Sequence, residues 1–350
     1  MTASELSERE RRILEAVIRS YVETAQPAGS RTLSRRFGLG LSPATIRNTM
    51  SDLEEKGFLF HPHTSAGRIP TEKAYRLYVD ELMRVRPLES VDRKRLAAEI
   101  SAGDSAIESI LRRAAQSVGV LTQELGVALG PRLDQTILEK LEIVRLTSEK
   151  LILVLSLRGG AVRTIFIEVP GAIADDALAE VQFVLNERLG GLSLVQIRQS
   201  LGSRLRDATS ATGIAGGATE LMNIFVQEGD TFFDVQAVEP ESVVLGQASL
   251  LADKPEFASG QRMRRLLELT ETRTELATLL RSRPSSAGVS ITIGSEHGAA
   301  LPGGLTVVTA EYRAGSLSGV IGVIGPTRMP YEKVIALVTH TSSLVTELLA

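Results

Sequence analysis

The sequence has no cysteine and no tryptophan, and only 4% of its 350 residues are aromatic. Without cysteine there is no disulfide scaffold, thiol nucleophile, iron–sulfur cluster or cysteine-ligated zinc. No apolar run approaches the ~18 residues of a membrane span. The longest, around Leu151–Leu157, reads as a strand. Residues Met1 to Arg12 are charged and lack the apolar stretch of a secretory signal, so a cytoplasmic protein is expected. What is present is ordinary for a globular chain: 43% hydrophobic and 23% charged residues. At about 150 residues per domain, this length points to two or three domains.

The net charge of −3 conceals an asymmetry. Residues 1–86 carry 14 Lys/Arg against 11 Asp/Glu, and the remaining 264 carry 25 against 31. Between Glu23 and Asp52 there is no acid, whereas Arg31, Arg35, Arg36 and Arg47 all fall there. A basic window at one end of an acidic chain implies a polyanionic partner for that end. On charge alone, a chance fluctuation in a solvated face is an equal alternative.

Leu6, Ile13, Leu14, Val17, Ile18 and Tyr21 form a helical stripe that ends at Gln26-Pro27-Ala28-Gly29. Ser30 is a candidate N-cap for a short helix through Phe37, with Leu33 and Phe37 on its buried side. After the turn Gly38-Leu39-Gly40-Leu41, Ser42-Pro43 is a strong start signal for a helix running to Lys56 and stopping at Gly57. A strand Phe58-Leu59-Phe60 and a small acid-free loop, His61 to Pro70, then complete the pattern of a winged helix-turn-helix. A helix over 71–84, with Tyr75, Tyr78, Val79 and Leu82 on one face, leads to a linker at 85–91.

Beyond the linker the expectations are a helix over 106–125 and strands over 139–147, 151–157 and 161–169. Helices over 175–189, 194–208 and 219–228 follow, then a strand over 242–246 and a helix over 261–280. Strands over 289–293, 305–312 and 318–324 and a last amphipathic helix over 331–349 close the chain. The short links between the first strands can join only antiparallel neighbours. Strands at both ends with helices between predict one antiparallel sheet interrupted by a helical insert.

On the helix opening at Ser42, Ile46, Met50 and Leu53 recur at i, i+4 and i+7 and should face inward. Ser42, Ala44, Thr45, Arg47, Asn48 and Ser51 are left outward. Arg can fork to guanine and Asn to adenine, and a Thr or Ala methyl can touch that of thymine. Arg31, Arg35 and Arg36 precede this face on the neighbouring helix, while Asp52, Glu54 and Glu55 sit at its far end. His63 and Arg68 are the DNA-facing candidates of the loop, Arg68 in the minor groove or along phosphates. His61 and His63 as a metal pair is the weaker reading, since no cysteine or nearby carboxylate completes a site.

Pro27-Ala28-Gly29-Ser30-Arg31-Thr32-Leu33, Ser42-Pro43-Ala44-Thr45-Ile46-Arg47-Asn48 and Pro62-His63-Thr64-Ser65-Ala66-Gly67-Arg68-Ile69-Pro70-Thr71 closely resemble the HrcA family of bacterial heat-inducible transcription repressors. Arg265-Leu266-Leu267-Glu268-Leu269 and Gly322-Val323-Ile324-Gly325-Pro326-Thr327-Arg328-Met329 are similar to its C-terminal blocks, so the resemblance spans essentially the whole chain. It implies an α+β multidomain protein. Residues 1–86 would form a winged-helix DNA-binding domain, 92–170 with 250–350 a GAF-like antiparallel sheet domain, and 171–249 an inserted dimerisation subdomain. It further implies a homodimer that binds an inverted-repeat operator of chaperone operons (dnaK and groE type), with activity maintained by the GroEL chaperonin. One departure stands out: an acidic residue often follows the Arg-Asn pair in the family, and here Thr49 does. Thr49 is then either a neutral replacement at the groove's edge or a change in operator contacts.

One recognition helix reads too few base pairs to find a single genomic site, whereas two heads of a dimer solve this. Candidates for the dimer surface are Val181, Phe183, Val184 and Leu185, which exceed what one helix face needs. That they fill the subdomain's own core is an open alternative. An enzyme is disfavoured: none of the glycine pairs sits in a phosphate-binding pattern, there is no G-x-S-x-G, and His297 and His340 are isolated. No metal or cofactor is expected. A small-molecule-gated winged-helix regulator is the alternative function, though no convergent polar set identifies a ligand.

Overall fold

A computed structural model describes residues 6–62, 67–85, 87–103, 106–131, 136–158, 162–211, 217–233, 243–271, 273–281, 288–298, 304–315 and 317–350. Helix α1 (Glu8–Thr24) opens on a reciprocal cap. Ser7 Oγ accepts from the Glu10 N–H at 3.3 Å, and the Glu10 carboxylate accepts from the Ser7 N–H at 2.7 Å. Its stripe Ile13, Leu14, Val17 and Ile18 is fully buried. Helices α2 (Ser30–Arg36) and α3 (Pro43–Glu55) pack on it and on each other. Ser42 caps α3 and Pro43 is its first residue, as the sequence predicts; α2 instead starts at Ser30, with Gly29 in the cap position. Strands β1 (Leu59–Phe60) and β2 (Ile69–Pro70) pair antiparallel. Helix α4 (Glu72–Leu77), capped by Thr71, runs on as a π-helical stretch over Tyr78–Leu82.

The chain continues through α5 (Ser90–Ser101), α6 (Ile107–Thr122) and β3 (Leu125–Leu129). Next come β4 (Leu138–Arg145), β5 (Lys150–Leu157), β6 (Val162–Glu168), α7 (Asp175–Leu189), α8 (Leu194–Ala211) and α9 (Gly217–Phe232). It returns in β7 (Val243–Leu245), α10 (Ser249–Ala252), α11 (Gly260–Glu271) and α12 (Arg273–Arg281). The last elements are β8 (Val289–Ile293), β9 (Leu305–Ala314), β10 (Leu317–Pro326) and α13 (Tyr331–Leu348). Five strands form one sheet in the order β7-β3-β10-β9-β8, with antiparallel pairing at β7–β3, β3–β10 and β9–β8. Helix α6 packs on β3 and β7, with α5 and α13 against it. Val127, Ile321 and Val323 of the sheet and Val118, Val334 and Val338 of the helices are among its fully buried residues.

Strands β4–β6 do not join that sheet. They make an antiparallel sheet of their own in the order β4-β5-β6, so the expected inclusion of 92–170 in one interrupted sheet is corrected. The chain divides into two compact units. The first holds Met1–Gly130, Pro240–Tyr312 and Val320–Leu349, and the second Pro131–Glu239 with Arg313–Gly319. The expected head over 1–86 therefore shares a unit with the five-stranded sheet, and the insert begins near 131 rather than 171. Hairpin links specify which strands are neighbours, but not which sheet a hairpin enters.

In the second unit, Leu141, Leu151, Leu153, Leu155 and Ile167 of one sheet face pack against α7, α8 and α9. The Asn186 side chain accepts from the Leu141 N–H at 2.8 Å and donates to its carbonyl at 2.7 Å, while Gln182 accepts from Ile143. The exposed edge of β4 is thus occupied by α7, which blunts a site for uncontrolled strand pairing. Val181, Val184 and Leu185 lie in this unit's own core, against the expectation that they form a dimer surface. Phe183 alone of the four faces solvent, at 70% exposure.

Candidate nucleic-acid interface

The α3 helix is built so that one side cannot leave the core and the other is free. Ile46, Met50 and Leu53 are buried, as their spacing predicts, and the Ser42 hydroxyl accepts from the Thr45 N–H at 3.1 Å to fix the first turn. Ser42, Ala44, Arg47 and Asn48 are exposed, and Thr45 and Ser51 are half-buried. The outer face of the first two turns carries no acid. The α2 helix adds Arg31, Arg35 and Arg36, all exposed. Arg31, Arg35 and Arg47 make no ion pair among the described residues. Arg36 is engaged: it pairs with Glu23 at 2.5 Å and lies over the Phe37 ring. The α2–α3 pair thus carries three uncommitted guanidinium groups and one that must leave a carboxylate before it can meet an anion.

Thr49 is not at a groove edge. It is 2% exposed, and its hydroxyl donates to the Thr45 carbonyl at 3.2 Å, so it faces the head's interior. Position 49 lies three residues from Ile46 and one from Met50 on the helix, which turns it inward.

Arg68 also departs from expectation. Its guanidinium donates to Ser51 Oγ at 3.1 Å and pairs with Glu54 at 2.8 Å, with Nη1 against His61 Nε2. His61 Nδ1 contacts the same Glu54 carboxylate at 2.8 Å. Only 12% of the Arg68 side chain is exposed. Its backbone exchanges hydrogen bonds with Ala28, at 2.8 and 3.0 Å. The neighbouring Gly67 passes so close that a Cβ there would lie 2.3 Å from the Ala28 carbonyl oxygen. The turn at 27–29, the hairpin base and the end of α3 are thus fastened to one another through Arg68. Glu54 belongs to this fastening and is not a bystander at the helix end; sequence reading missed it. Its position three residues after Ser51, on the same helix face, was the available signal. His63, proposed from sequence as a DNA contact, lies outside the described residues.

Among the described residues, no group of three or more His, Asp or Glu side chains could hold a metal ion. No helix among them is long and apolar enough to cross a membrane.

Residues 108–335 match the family model described as HrcA protein C terminal domain. The heat-inducible transcription repressor HrcA of Chlorobium phaeobacteroides (strain BS1) is 40% identical, with 97% of each chain covered. That of Chlorobium chlorochromatii (strain CaD3) is 38% identical over 100% of this chain and 99% of its own. The same repressor of Geobacter sulfurreducens is 37% identical over 99% of both. A solved structure titled as a crystal structure of a hypothetical protein at 2.2 Å resolution covers 99% of both chains, with a TM-score of 0.59 and 20% identity, a likeness of fold. These matches run across both compact units and the exposed α3 face, and the chain accordingly belongs to the HrcA family of heat-inducible transcription repressors, which are not enzymes.

Proposed function

We propose that this repressor binds operator DNA through the exposed face of α3. The observation that carries this reading is the acid-free outer surface of Ser42, Ala44, Arg47 and Asn48, set on a helix locked by Ile46, Met50 and Leu53 and flanked by Arg31 and Arg35. The head is read as a winged helix-turn-helix, with β1 and β2 as the base of the wing, and the five-stranded sheet as a GAF-like domain. Arg47 and Asn48 supply base-edge contacts. Ser42, Thr45 and Ser51 supply hydroxyl contacts, Arg31, Arg35 and Arg36 hold phosphates, and His63 approaches the duplex from the wing. Arg68 acts by holding the wing base to α3.

The operator is an inverted repeat upstream of chaperone operons, bound by a homodimer in the cytoplasm, and the GroEL chaperonin sustains the active form. Support for the dimer comes from exposed apolar side chains in the second unit. Phe183 is one; on the outer face of the β4–β6 sheet, register aligns Val144 and Phe166 on either side of Ile152. With Phe166 69% and Val144 49% exposed, these neighbours present a contiguous apolar patch of the kind that marks an interaction surface. Mobility shift on an inverted repeat that the chain itself selects from randomised duplex, with and without GroEL at two temperatures, tests the reading. A complex containing two chains per duplex and strengthened by chaperonin is expected. Failure to select any sequence would overturn it.

A further inference from the structure

The head is joined to the five-stranded sheet by more than the chain. The Arg76 guanidinium of α4 forks onto Glu296, Nε to Oε1 at 2.8 Å and Nη2 to Oε2 at 2.5 Å, and Nη2 also donates to the Ile291 carbonyl at 2.8 Å. Glu296 is held from its own side by the Ile293 N–H at 2.8 Å. One helical turn earlier, Glu72 accepts from the Ser295 N–H at 2.9 Å and from its hydroxyl at 2.7 Å. The loop reaches Glu72 because Gly294 takes φ +54°, and a Cβ there would strike the carboxylate.

Two further anchors lie away from this one. The Tyr78 hydroxyl donates to Glu332 at the start of α13. Arg328, forked on Glu256 at 2.6 and 3.1 Å, donates to the Val22 carbonyl of α1 at 2.7 Å. Between them, Tyr75 and Tyr331 stack at a tilt with ring centroids 5.9 Å apart, both buried. Burial opposes ionisation of Glu296, but the Arg76 fork outweighs it and holds the carboxyl below the usual carboxylate range. A bidentate fork fixes orientation as well as distance. Anchors at three separated places around an aromatic seam remove the rotational freedom a tethered head would have.

We infer that this seam, with Arg76 as its principal fork, is a positioning device that sets which half-site spacing the repressor accepts; the inference rests on the dimeric DNA-binding reading above. Adding one base pair to a spacer turns one half-site by about 35° around the duplex axis, given about 10–10.5 base pairs per turn. A head fixed to the five-stranded sheet cannot follow that rotation by turning at this seam, so the second head reaches its half-site less readily and the gain from bivalency falls. Heads on a loosened seam can follow it. Arg76 lies outside the DNA-facing set, so binding of one head to one half-site does not depend on it.

The test uses the full chain and its Arg76→Ala and Glu296→Gln variants on duplexes carrying either one selected half-site or the inverted repeat with the spacer changed by one to five base pairs. Equal half-site affinity in all three proteins is expected, which also shows the head to be folded. On the displaced spacers the parent should lose about tenfold or more in affinity relative to its preferred spacing, levelling off at the affinity for one half-site, and the variants should lose less than about threefold. Tyr78→Phe, which removes one anchor and keeps the aromatic seam, carries the test should an Arg76 variant lose half-site binding. Variants with the parent's spacing profile overturn the inference, as does a dimeric parent indifferent to spacing. A parent that sediments as a monomer on the inverted repeat overturns the dimer reading itself.

Discussion

Arg35 and Arg68 illustrate how two residues of the same type in one small head can have opposite roles. Arg35 is exposed and uncommitted among the described residues, so it is available to a phosphate. Arg68 is spent on Glu54, Ser51 and His61. The salt dependence of DNA binding separates the two roles, because each phosphate contact contributes about 0.9 to the slope of log affinity against log salt. Arg35→Ala should weaken binding to every sequence alike and lower that slope by about one. Arg68→Ala should weaken binding and lower the melting temperature with the slope unchanged, since Glu54 and Ser51 lose the group that ties them to the β1–β2 hairpin base. A slope lowered by Arg68→Ala would return that residue to the DNA-contacting set.

Among the elements, α3 depends on its cap. Ser42 Oγ satisfies the Thr45 N–H, which no backbone carbonyl of the helix reaches, and Ser42→Ala should destabilise the chain by about 1 kcal/mol in denaturant unfolding. Unchanged stability would mean that the first turn is held by something else. This helix was legible in the sequence because capping hydroxyl, proline, apolar period and terminal glycine all agree. The starts of α7, β8 and α13 also fall where their patterns predict, without a capping hydroxyl. Helix α5 was not legible: it buries only Leu96 and Ile100, too few to make a stripe. Nor was the grouping of β4–β6 into a separate sheet, because alternation within a strand says which side is buried but not what buries it. The α3 face was read correctly as to exposure at Ser42, Ala44, Arg47 and Asn48. The structure departs from the sequence reading at Thr49, which its place on the helix turns inward onto the Thr45 carbonyl, and at Arg68, whose partners are set by the close approach of the hairpin base to the turn at 27–29 and to the end of α3.

For the whole molecule, the buried carboxyl displaced furthest toward neutral pH among the described residues is that of Glu124, at the junction of α6 and β3. It is fully buried, with Lys254 Nζ 2.5 Å away. Burial pushes its carboxyl up to about 7, against the pull of Lys254. In the unfolded chain the same group titrates near 4.3. Between these values the native state keeps a proton that the unfolded state has lost, so folding stability should fall as pH rises from about 4.5 to about 7. The full effect is on the order of 4 kcal/mol. Urea unfolding of the parent and of Glu124→Gln at pH 5 and pH 8 reads this directly: the parent's advantage over the variant should shrink with rising pH. Parallel pH profiles for the two proteins would show that Glu124 is ionised in the native state throughout.

Among the described residues, Arg31, Arg35 and Arg47 stand exposed and without an ion pair on the α2–α3 helix pair, and the account stands on what these helices do. The most direct measurement is a sequence-selection profile from randomised duplex, taken in parallel for the parent, Arg47→Ala and Asn48→Ala. The parent is expected to return an inverted repeat. Each variant should bind it about 1–3 kcal/mol more weakly and lose discrimination at one base position per half-site, Arg47 at a guanine and Asn48 at an adenine. Variants that return the parent's profile at the parent's affinity would contradict the assignment of the α3 face as the reading surface.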